Sequence, residues 1–468
     1  MSAFNEILDI RAGSPPSPGE VTISGNDPVL PTSFRIGETA AAAIAGVGLA
    51  ISDLWELKTG RRQSCKVDVR HAAAALCSNK YVRIKQQNGS FISMVDERHE
   101  AMRRLTQAYQ SKDGRWVLPH FGLSHLQKRV LSLLDAEPNT HSIAKAVSKW
   151  DALDLEMAID EARACGGMVR SNSQWLSEPH GQLLAQKPVV EIIKIGDSDP
   201  EPLPKGERPI DGIRVLDLTR ILAGPVTART LAEHGADVLM VAAQNLPQVG
   251  PYVVDTSHGK RSCFLDLKNK EESQKLRHLM KSADVFSQGY RPAVMSGLGF
   301  GPEEASEIRP GIIYVSISCF GADGPLSHRA GWEQIAQIMT GIAAADAEKK
   351  GVEQPKVLPA AANDYITGYL GAYGTLLALA RRAIQGGSYH VRVSLCQSGM
   401  MIYRQGQLKN YRSDVGLNET ELKELWLETE THLGPIRHFR PVLQLSETTP
   451  FWELPTAKLG LSPPNWAT

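Results

Sequence analysis

A long apolar pattern runs from Tyr365 to Ala380, rich in small residues and free of proline. A run of this length and composition predicts a buried helix rather than a strand. Asn363 or Asp364 stands where the N-cap is expected, and the glycine pair at 386–387 stands where the helix should end. Alternating apolar and polar residues from Ser388 to Leu395 then predict a half-buried strand.

An earlier stretch of the chain shows the same order of features. Thr39 to Leu57 predicts a buried helix, a glycine ends it, and Ser64 to Val69 alternates as a strand does. A shift of 326 positions places Glu38 on Asp364 without a gap. The pattern predicts an internal repeat. Any two buried helix–turn–strand units would also align in this way, so sequence leaves that alternative open.

Short apolar strands alternate with amphipathic helices after position 211. Ile213–Leu218 predicts a first strand, Val226–His234 a helix, and Asp237–Val241 the next strand. Such alternation favours a parallel sheet in an α/β layer. No GxGxxG sequence opens the first helix, which argues against a dinucleotide-binding dehydrogenase.

Shifts in composition divide the chain into six predicted segments. A proline-rich stretch is the clearest boundary, and the first residues are rich in Pro, Gly and Ser. The predicted segments are a flexible lead-in at 1–30, a degenerate repeat unit at 31–84, a small α+β domain at 85–197, a linker at 198–210, a Rossmann-like α/β domain at 211–405, and a C-terminal helix and tail at 406–468.

Composition and charge narrow the functional classes. The chain has 468 residues, of which 42% are hydrophobic, so it can bury a large core in two or more domains. Lys plus Arg and Asp plus Glu number 51 each, which gives no electrostatic case for nucleic acid or an anionic membrane. The six cysteines lack a CxxC pair and no secretory start is evident, so we expect a cytoplasmic protein without a metal site.

Short motifs in the second half of the chain resemble the class III coenzyme A transferases. This family includes formyl-CoA:oxalate and carnitine CoA-transferases and, by fold, the α-methylacyl-CoA racemases. The motifs are GIRVLDLTRILAGP (212–225), LAEHGADVLMV (231–241), GKRSCFLDLK (259–268), ADVFSQGYRP (283–292), LGFG (298–301), IIYVSISCFGADGP (312–325), GWEQIAQIMTG (331–341) and NDYITG (363–368). The resemblance implies an α/β fold with a Rossmann-like parallel sheet domain and a smaller α+β domain.

The first part of the chain resembles other portions of the same family. Residues 31–80 resemble the segment around the catalytic acid, and residues 85–190 resemble the small domain. The resemblance therefore implies a rearranged or partly duplicated domain order. It also implies a homodimer, possibly interlocked, or a pseudo-dimer within one chain.

The resemblance implies transfer of coenzyme A from an acyl-CoA thioester to a carboxylic acid. Asp364 would be the catalytic nucleophile and would pass through an aspartyl anhydride and an aspartyl-CoA thioester. Coenzyme A and a small carboxylic acid would be substrates, and no prosthetic group is expected. Residues matching the family's CoA contacts are Leu222, Ala223, His258, Lys260, Arg261 and Arg291.

The chain departs from the family pattern at several positions. Ala242, Gly297 and Cys319 stand where the family usually has Glu, Arg and Gly, and Glu38 marks a degenerate second site. The proton-transferring histidine of the racemases is replaced by Trp332, whose indole cannot exchange a proton at neutral pH. Two alternatives to the transferase remain open, namely a racemase and an inactive CoA-binding paralogue or scaffold.

Overall fold

The computed structural model describes residues 2–467. Its helices are α1 (Ala3–Arg11), α2 (Ile36–Thr59), α3 (Val69–Ala75), α4 (Glu97–Leu105), α5 (Ser124–Leu134), α6 (Thr140–Val147), α7 (Ala152–Glu161), α8 (Asn172–Ser177), α9 (Pro179–Ala185), α10 (Ala223–Ala232), α11 (Gly250–Thr256), α12 (Lys270–Met280), α13 (Pro302–Ile308), α14 (Glu333–Met339), α15 (Ile342–Lys350), α16 (Ala362–Gln385) and α17 (Leu395–Arg404).

The strands are as follows: β1 (Val21–Ser24), β2 (Cys65–Asp68), β3 (Arg83–Lys85), β4 (Phe91–Ser93), β5 (Tyr109–Gln110), β6 (Trp116–Pro119), β7 (Gly166–Met168), β8 (Glu191–Gly196), β9 (Arg214–Asp217), β10 (Asp237–Ala242), β11 (Lys260–Phe264), β12 (Val285–Gln288), β13 (Ile313–Ser318), β14 (Ser388–Ser394), β15 (Trp426–Thr431), β16 (Gly434–Phe439) and β17 (Gln444–Leu445).

The predicted parallel sheet is confirmed. Its strand order is β11-β10-β9-β12-β13-β14-β8, and every neighbouring pair is parallel except β14 with β8. The central strands β9, β10, β12 and β13 are mostly buried, as expected for a parallel sheet whose faces are covered by helices. The chain direction across the sheet reverses between β9 and β12, and crevices for ligands form at such a reversal.

The two predicted repeat helices have the same bounds after a shift of 326 residues. Both α2 and α16 contain 24 residues, and the helix after each following strand, α3 or α17, begins at the same shifted position. The residue before each helix has nearly the same backbone angles, with φ −82° and ψ 58° or 59°. The helix–strand–helix order of the repeat is therefore a structural fact.

The repeat helices pack directly against each other at the centre of the protein. Their mutual contact is the most extensive between any two helices within residues 2–467. By length and composition α2 could cross a membrane, but 83% of its most apolar window is buried inside the protein. Its apolar surface is therefore covered by α16 and by α1.

The small α+β domain has its own core but different limits from those predicted. Strands β5, β6 and β7 form an antiparallel sheet, against which α4 to α7 pack around apolar side chains such as Val130 and Leu155. Strand β8 lies inside the predicted segment 85–197 but pairs with β14 at the edge of the large sheet. The pairing of β8 with β14 therefore places the end of the small domain before β8, and the composition of the linker does not indicate that pairing.

The two terminal predictions were wrong. The predicted flexible lead-in contains α1, which buries Ile7 completely, and β1, which pairs in parallel with β2. The predicted C-terminal helix is absent from residues 406–467, where a 3-10 turn at Lys423–Leu425 precedes the β15–β16 hairpin. Both segments are ordered by partners far away in sequence, and local composition does not show such contacts.

Candidate active site

A cleft of about 1260 Å³ opens at the carboxyl ends of three neighbouring strands. Residues 218–224 after β9, 289–291 after β12 and 317–319 at the end of β13 line one side. The small domain supplies part of the other side through α5. The cleft therefore lies where the strand order reverses, the expected ligand position in an open α/β sheet.

Asp364 lines this cleft from the first turn of α16. Its relative exposure is only 8%, so the residue is almost completely buried although it lines the cleft. The prediction that Asn363 or Asp364 is the N-cap was wrong, because Ala361 occupies that position and offers no capping side chain. Asp364 is consequently free of the capping role that explains most aspartates at helix starts.

Glu333 takes over the capping role from another helix, α14. Its Oε2 accepts the Asp364 N–H at 2.6 Å, and its Oε1 accepts the Asn363 N–H at 3.1 Å. Gln337 Nε2 donates to the same Oε1 at 2.6 Å. Three donors thus hold the Glu333 carboxylate against the start of α16, where the helix dipole also favours negative charge.

Burial and mutual repulsion set the electrostatics of this carboxyl pair. Burial raises the pKa of Asp364 well above its usual range, and the charge of Glu333 raises it further, while the Ala223 N–H opposes the shift. Burial also raises the pKa of Glu333, to about 7, against the hydrogen bonds that it accepts. Two neighbouring carboxyl groups in one buried site resist full ionisation together.

We expect Glu333→Gln to shift the pH dependence of the transfer reaction that the sequence motifs imply. The substitution removes the negative charge beside Asp364, so the pKa of Asp364 falls and its carboxylate persists to lower pH. The acidic limb of the kcat/KM profile should therefore move to lower pH. The glutamine Oε1 can still accept an N–H at the start of α16, which limits the structural damage.

Asp27→Asn is the matched control for this substitution. Asp27 Oδ2 accepts the Glu38 N–H at 2.8 Å, so Asp27 caps the repeat helix α2 as Glu333 caps α16. Its loss should reduce stability without moving the pH profile, because Asp27 does not line the cleft. An acidic limb that stays in place in the Glu333 variant would contradict the electrostatic coupling.

The start of α10 lies beside Asp364 in the cleft, where the Ala223 N–H lowers the pKa of the carboxyl group. Ile221 just before it has a φ of 74°, a left-handed conformation that is unusual for a β-branched residue. Gly368 allows the close approach of α10 and α16, since an added Cβ would lie 2.7 Å from the Ala223 carbonyl oxygen. The first turns of α10 and α16 therefore pack closely against each other beside the cleft.

The structure brings some of the predicted CoA-contacting residues to the cleft. Leu222, Ala223 and Arg291 line it together with Asp364. Arg291 is exposed, and its guanidinium forms no ion pair within residues 2–467. These three positions follow the strands β9 and β12, as the sequence motifs led us to expect.

The structure places the other three predicted contacts away from the cleft. Lys260 is fully buried, where its Nζ lies 2.8 Å from Asp217 Oδ2 and donates to the Pro225 carbonyl at 2.8 Å. Arg261 pairs with Asp237 at 2.8 Å. His258 is buried, and its ring stacks on His438 at a centroid distance of 4.0 Å. All three side chains are engaged within the protein and none lines the cleft, so their contact with CoA stays a prediction.

Several basic residues at the cleft were missed in the sequence. Arg129, Arg163 and Arg220 line it and form no ion pair within the described chain. Arg220 lies in the loop after β9, a position that the rule for ligands at strand ends could have indicated. Arg129 and Arg163 belong to the small domain, and only the tertiary structure brings them to the cleft.

Comparison with known proteins identifies the family. The model of CoA-transferase family III matches residues 210–449. The chain belongs to CoA-transferase family III. The acetyl-coenzyme A transferase nodX of Hypoxylon pulicicidum is 33% identical over 439 residues, which cover 84% of this chain and 74% of the relative. An acyl-CoA transferase of Gibberella moniliformis is 28% identical over 454 residues, covering 89% and 79%.

Solved structures of the family resemble part of the chain. A CAIB/BAIF family protein from Brucella suis is 29% identical, with a TM-score of 0.39 over 43% of this chain and 56% of that protein. The family-model match contains Asp364, Glu333 and the first-strand segment from Arg220 to Ala223. The sheet side of the cleft therefore lies within the part of the chain that the family model matches, whereas its small-domain side lies before that match.

Proposed function

We propose that this enzyme transfers coenzyme A from an acyl-CoA thioester to a carboxylic acid, with Asp364 as the nucleophile. The observation that carries the proposal is the charge pattern of the cleft. Asp364 is its only acidic lining residue within the described chain, whereas four unpaired guanidinium groups face it, from Arg129, Arg163, Arg220 and Arg291. The relatives named above as CoA transferases support the same reaction class.

The basic groups suit the phosphates of coenzyme A. The whole chain carries no net charge, so the local excess of positive charge at the cleft is a feature of this site. Arg220 Nε is buried and has no hydrogen-bond partner within residues 2–467. A guanidinium group with unused donors is well suited to bind phosphate oxygens. The thioester end of the same ligand would then reach Asp364 at the bottom of the cleft.

The chemistry proceeds in two symmetric halves. The Asp364 carboxylate attacks the thioester carbonyl carbon, the C–S bond breaks, and an acyl–aspartyl anhydride and a CoA thiolate result. The thiolate then attacks the aspartyl carbonyl, which releases the donor acid and leaves an aspartyl-CoA thioester. The acceptor carboxylate reverses both steps and leaves as the new acyl-CoA, with Asp364 restored.

The site supplies two conditions that this route needs. The near-complete burial of Asp364 limits the access of water to the anhydride and thioester intermediates. The Ala223 N–H at the start of α10 lowers the pKa of the carboxyl group, and we assign it to the oxygen that gains charge when that group is attacked. Neither role requires a metal or a prosthetic group.

The racemase alternative fits the cleft less well. Trp332 lines the cleft at the position where the related racemases carry a histidine, and its ring packs on His120 at a centroid distance of 4.7 Å. Burial lowers the pKa of His120 to about 4, and its Nε2 lies 3.1 Å from Gln334 Oε1. Neither residue is placed to exchange a proton with a substrate near Asp364.

Trapping of the covalent intermediate tests the proposal. The protein is incubated with acetyl-CoA, quenched with hydroxylamine and digested, and the peptide that contains Asp364 is analysed by mass spectrometry. We expect a hydroxamate at Asp364, since hydroxylamine attacks activated acyl groups. Unmodified Asp364 in a preparation that transfers CoA would contradict the proposal. Incorporation of solvent deuterium at the α-carbon without an acceptor acid would support the racemase instead.

A further inference from the structure

A second cavity, of about 1010 Å³, adjoins the cleft but does not contain Asp364. Tyr290, Arg291 and Ser318 line both spaces. Val391 of β14 packs towards α16, since an added Cβ on Gly374 would meet it at 2.7 Å. Successive side chains of a strand alternate between faces, so the cavity residue His390 lies on the opposite face of the sheet.

A chain of oriented hydrogen bonds forms the floor of this cavity. Arg392 Nε can only donate, so His390 Nδ1 accepts its bond of 3.3 Å and the proton of the neutral ring lies on Nε2. His390 Nε2 is 2.8 Å from Ser316 Oγ, and Gln288 Nε2 donates to the same oxygen at 3.0 Å. Ser316 Oγ therefore accepts twice, and its own hydroxyl hydrogen is available to a ligand.

A buried acceptor complements this available donor. Gln397 is only 4% exposed, and its Nε2 donates to the Leu184 carbonyl at 2.8 Å and to the Lys187 carbonyl at 3.4 Å. These two carbonyl partners fix the orientation of the amide. Its Oε1 has no hydrogen-bond partner within residues 2–467, and Gln397 lines the cavity. An unpaired buried acceptor is costly unless a ligand donates to it.

The charged side chains that line the cavity limit how much negative charge a ligand can carry. Three basic and three acidic side chains line it: Lys187, Arg291, Arg392, Glu191, Glu303 and Asp323. Arg392 Nη1 is 3.2 Å from Asp323 Oδ2, which leaves further N–H groups of the guanidinium without a partner in the described chain. A balanced lining suits a small anion and disfavours a polyphosphate.

We propose that this cavity is a second ligand site for a small carboxylic acid that also carries a hydroxyl group. The carboxylate lies against the Arg392 guanidinium and the Ser316 hydroxyl, while the ligand hydroxyl donates to Gln397 Oε1. Apolar residues such as Val189 and Met295 cover the short carbon chain. This assignment goes beyond the proposed reaction and does not depend on it, because it concerns binding alone.

Isothermal titration without acyl-CoA tests the site, with 3-hydroxybutyrate and butyrate as a matched pair of probes. The hydroxyl should tighten binding by about tenfold, since the pair differs by one hydrogen bond to a buried acceptor. Arg392→Gln should weaken the binding of both probes by about tenfold or more, because it removes a charge-assisted hydrogen bond. Gln397→Leu should abolish only the difference between the two probes.

Control variants keep the test decisive. Arg437→Gln removes an arginine with one carboxylate partner, Glu428 at 2.8 Å, on the distant β15–β16 hairpin, and should leave binding unchanged. Ser316→Ala replaces Gln397→Leu if that variant does not fold, and it should weaken the binding of both probes. No binding to the wild type, or binding that Arg392→Gln leaves unchanged, would overturn the proposal.

A transfer assay with the same probe distinguishes two sources of the ligand. Conversion of 3-hydroxybutyrate to its CoA thioester, with a KM raised by Arg392→Gln, supports a co-substrate that enters through this cavity. A changed rate of transfer to another acid, with 3-hydroxybutyrate itself unconsumed, supports an effector. Both results uphold the site, and the titration decides whether the site exists.

Discussion

Asp364→Asn should abolish CoA transfer while the protein remains folded. Asparagine has nearly the same size but no nucleophilic carboxylate, so neither the anhydride nor the aspartyl thioester can form. Loss of a covalent nucleophile typically reduces kcat on the order of 10⁴-fold or more. The variant should still bind coenzyme A, because the guanidinium groups of the cleft are unchanged. Steady-state kinetics and CoA titration measure the two effects separately.

Glu38→Gln is the control that the internal repeat provides. Glu38 occupies the same place in the first turn of α2 as Asp364 does in α16. Its carboxylate is 3.1 Å from Arg35 Nη1 and does not line the cleft. We therefore expect full activity from this variant. Equal loss of activity in both variants would show that the substitutions disturb folding, and it would contradict the assignment of Asp364 as the nucleophile.

The repeat also explains why one carboxylate is assigned to catalysis and the other is not. Both helices begin beside a buried capping carboxylate, Asp27 or Glu333, and both place an acid in the first turn. Asp364 lines the cleft at the strand ends of the seven-stranded sheet, whereas Glu38 lies outside it, in the repeat unit whose strands β1 and β2 belong to a separate three-stranded sheet. The position of the acid in the repeat is readable from sequence, whereas its access to a ligand is not.

The large sheet could be predicted because its signals are local. Most of the strands from β9 to β13 have a short apolar stretch, such as Val238–Val241 of β10, and amphipathic helices such as α12 lie between them. The positions of Leu222 and Ala223 at the cleft could be predicted from the rule for ligands at strand ends, since the loop after β9 leads to them. Glu333 could not be assigned from sequence. It caps α16 from α14, and nothing in its local sequence indicates the Asp364 N–H as its partner.

The three predicted CoA contacts that lie away from the cleft show a different limit. A motif at the start of β11 indicates which loop a residue belongs to but not where its side chain points. Lys260 points into the protein, and Arg261, on the opposite face of the strand, meets Asp237. The terminal segments were mispredicted for a related reason. Their order depends on contacts such as that of Tyr373 Oη with the Ile7 carbonyl, at 2.8 Å.

Lys260→Met should therefore destabilise the protein instead of acting on CoA alone. Both side chains of the Lys260–Asp217 pair are fully buried, and the loss of one partner leaves an uncompensated charge. Removal of one member of a buried ion pair typically costs about 3–5 kcal/mol. Asp217 Oδ1 also accepts the Thr219 N–H at 3.0 Å, and Thr219 lines the cleft. The loop after β9 should consequently loosen along with the fold.

Chemical denaturation of Lys260→Met beside Lys268→Met separates a structural role from a ligand role. Lys268 is exposed and forms no ion pair within residues 2–467, so its substitution should change the free energy of unfolding by less than about 0.5 kcal/mol. A Lys260 variant with an unchanged unfolding midpoint and weakened CoA binding would contradict the buried-pair argument. A large fall in the unfolding midpoint would show that Lys260 stabilises the structure around the cleft. Its Nζ donates to Asp217 of β9 and to the Pro225 carbonyl in the first turn of α10, and so connects both to β11.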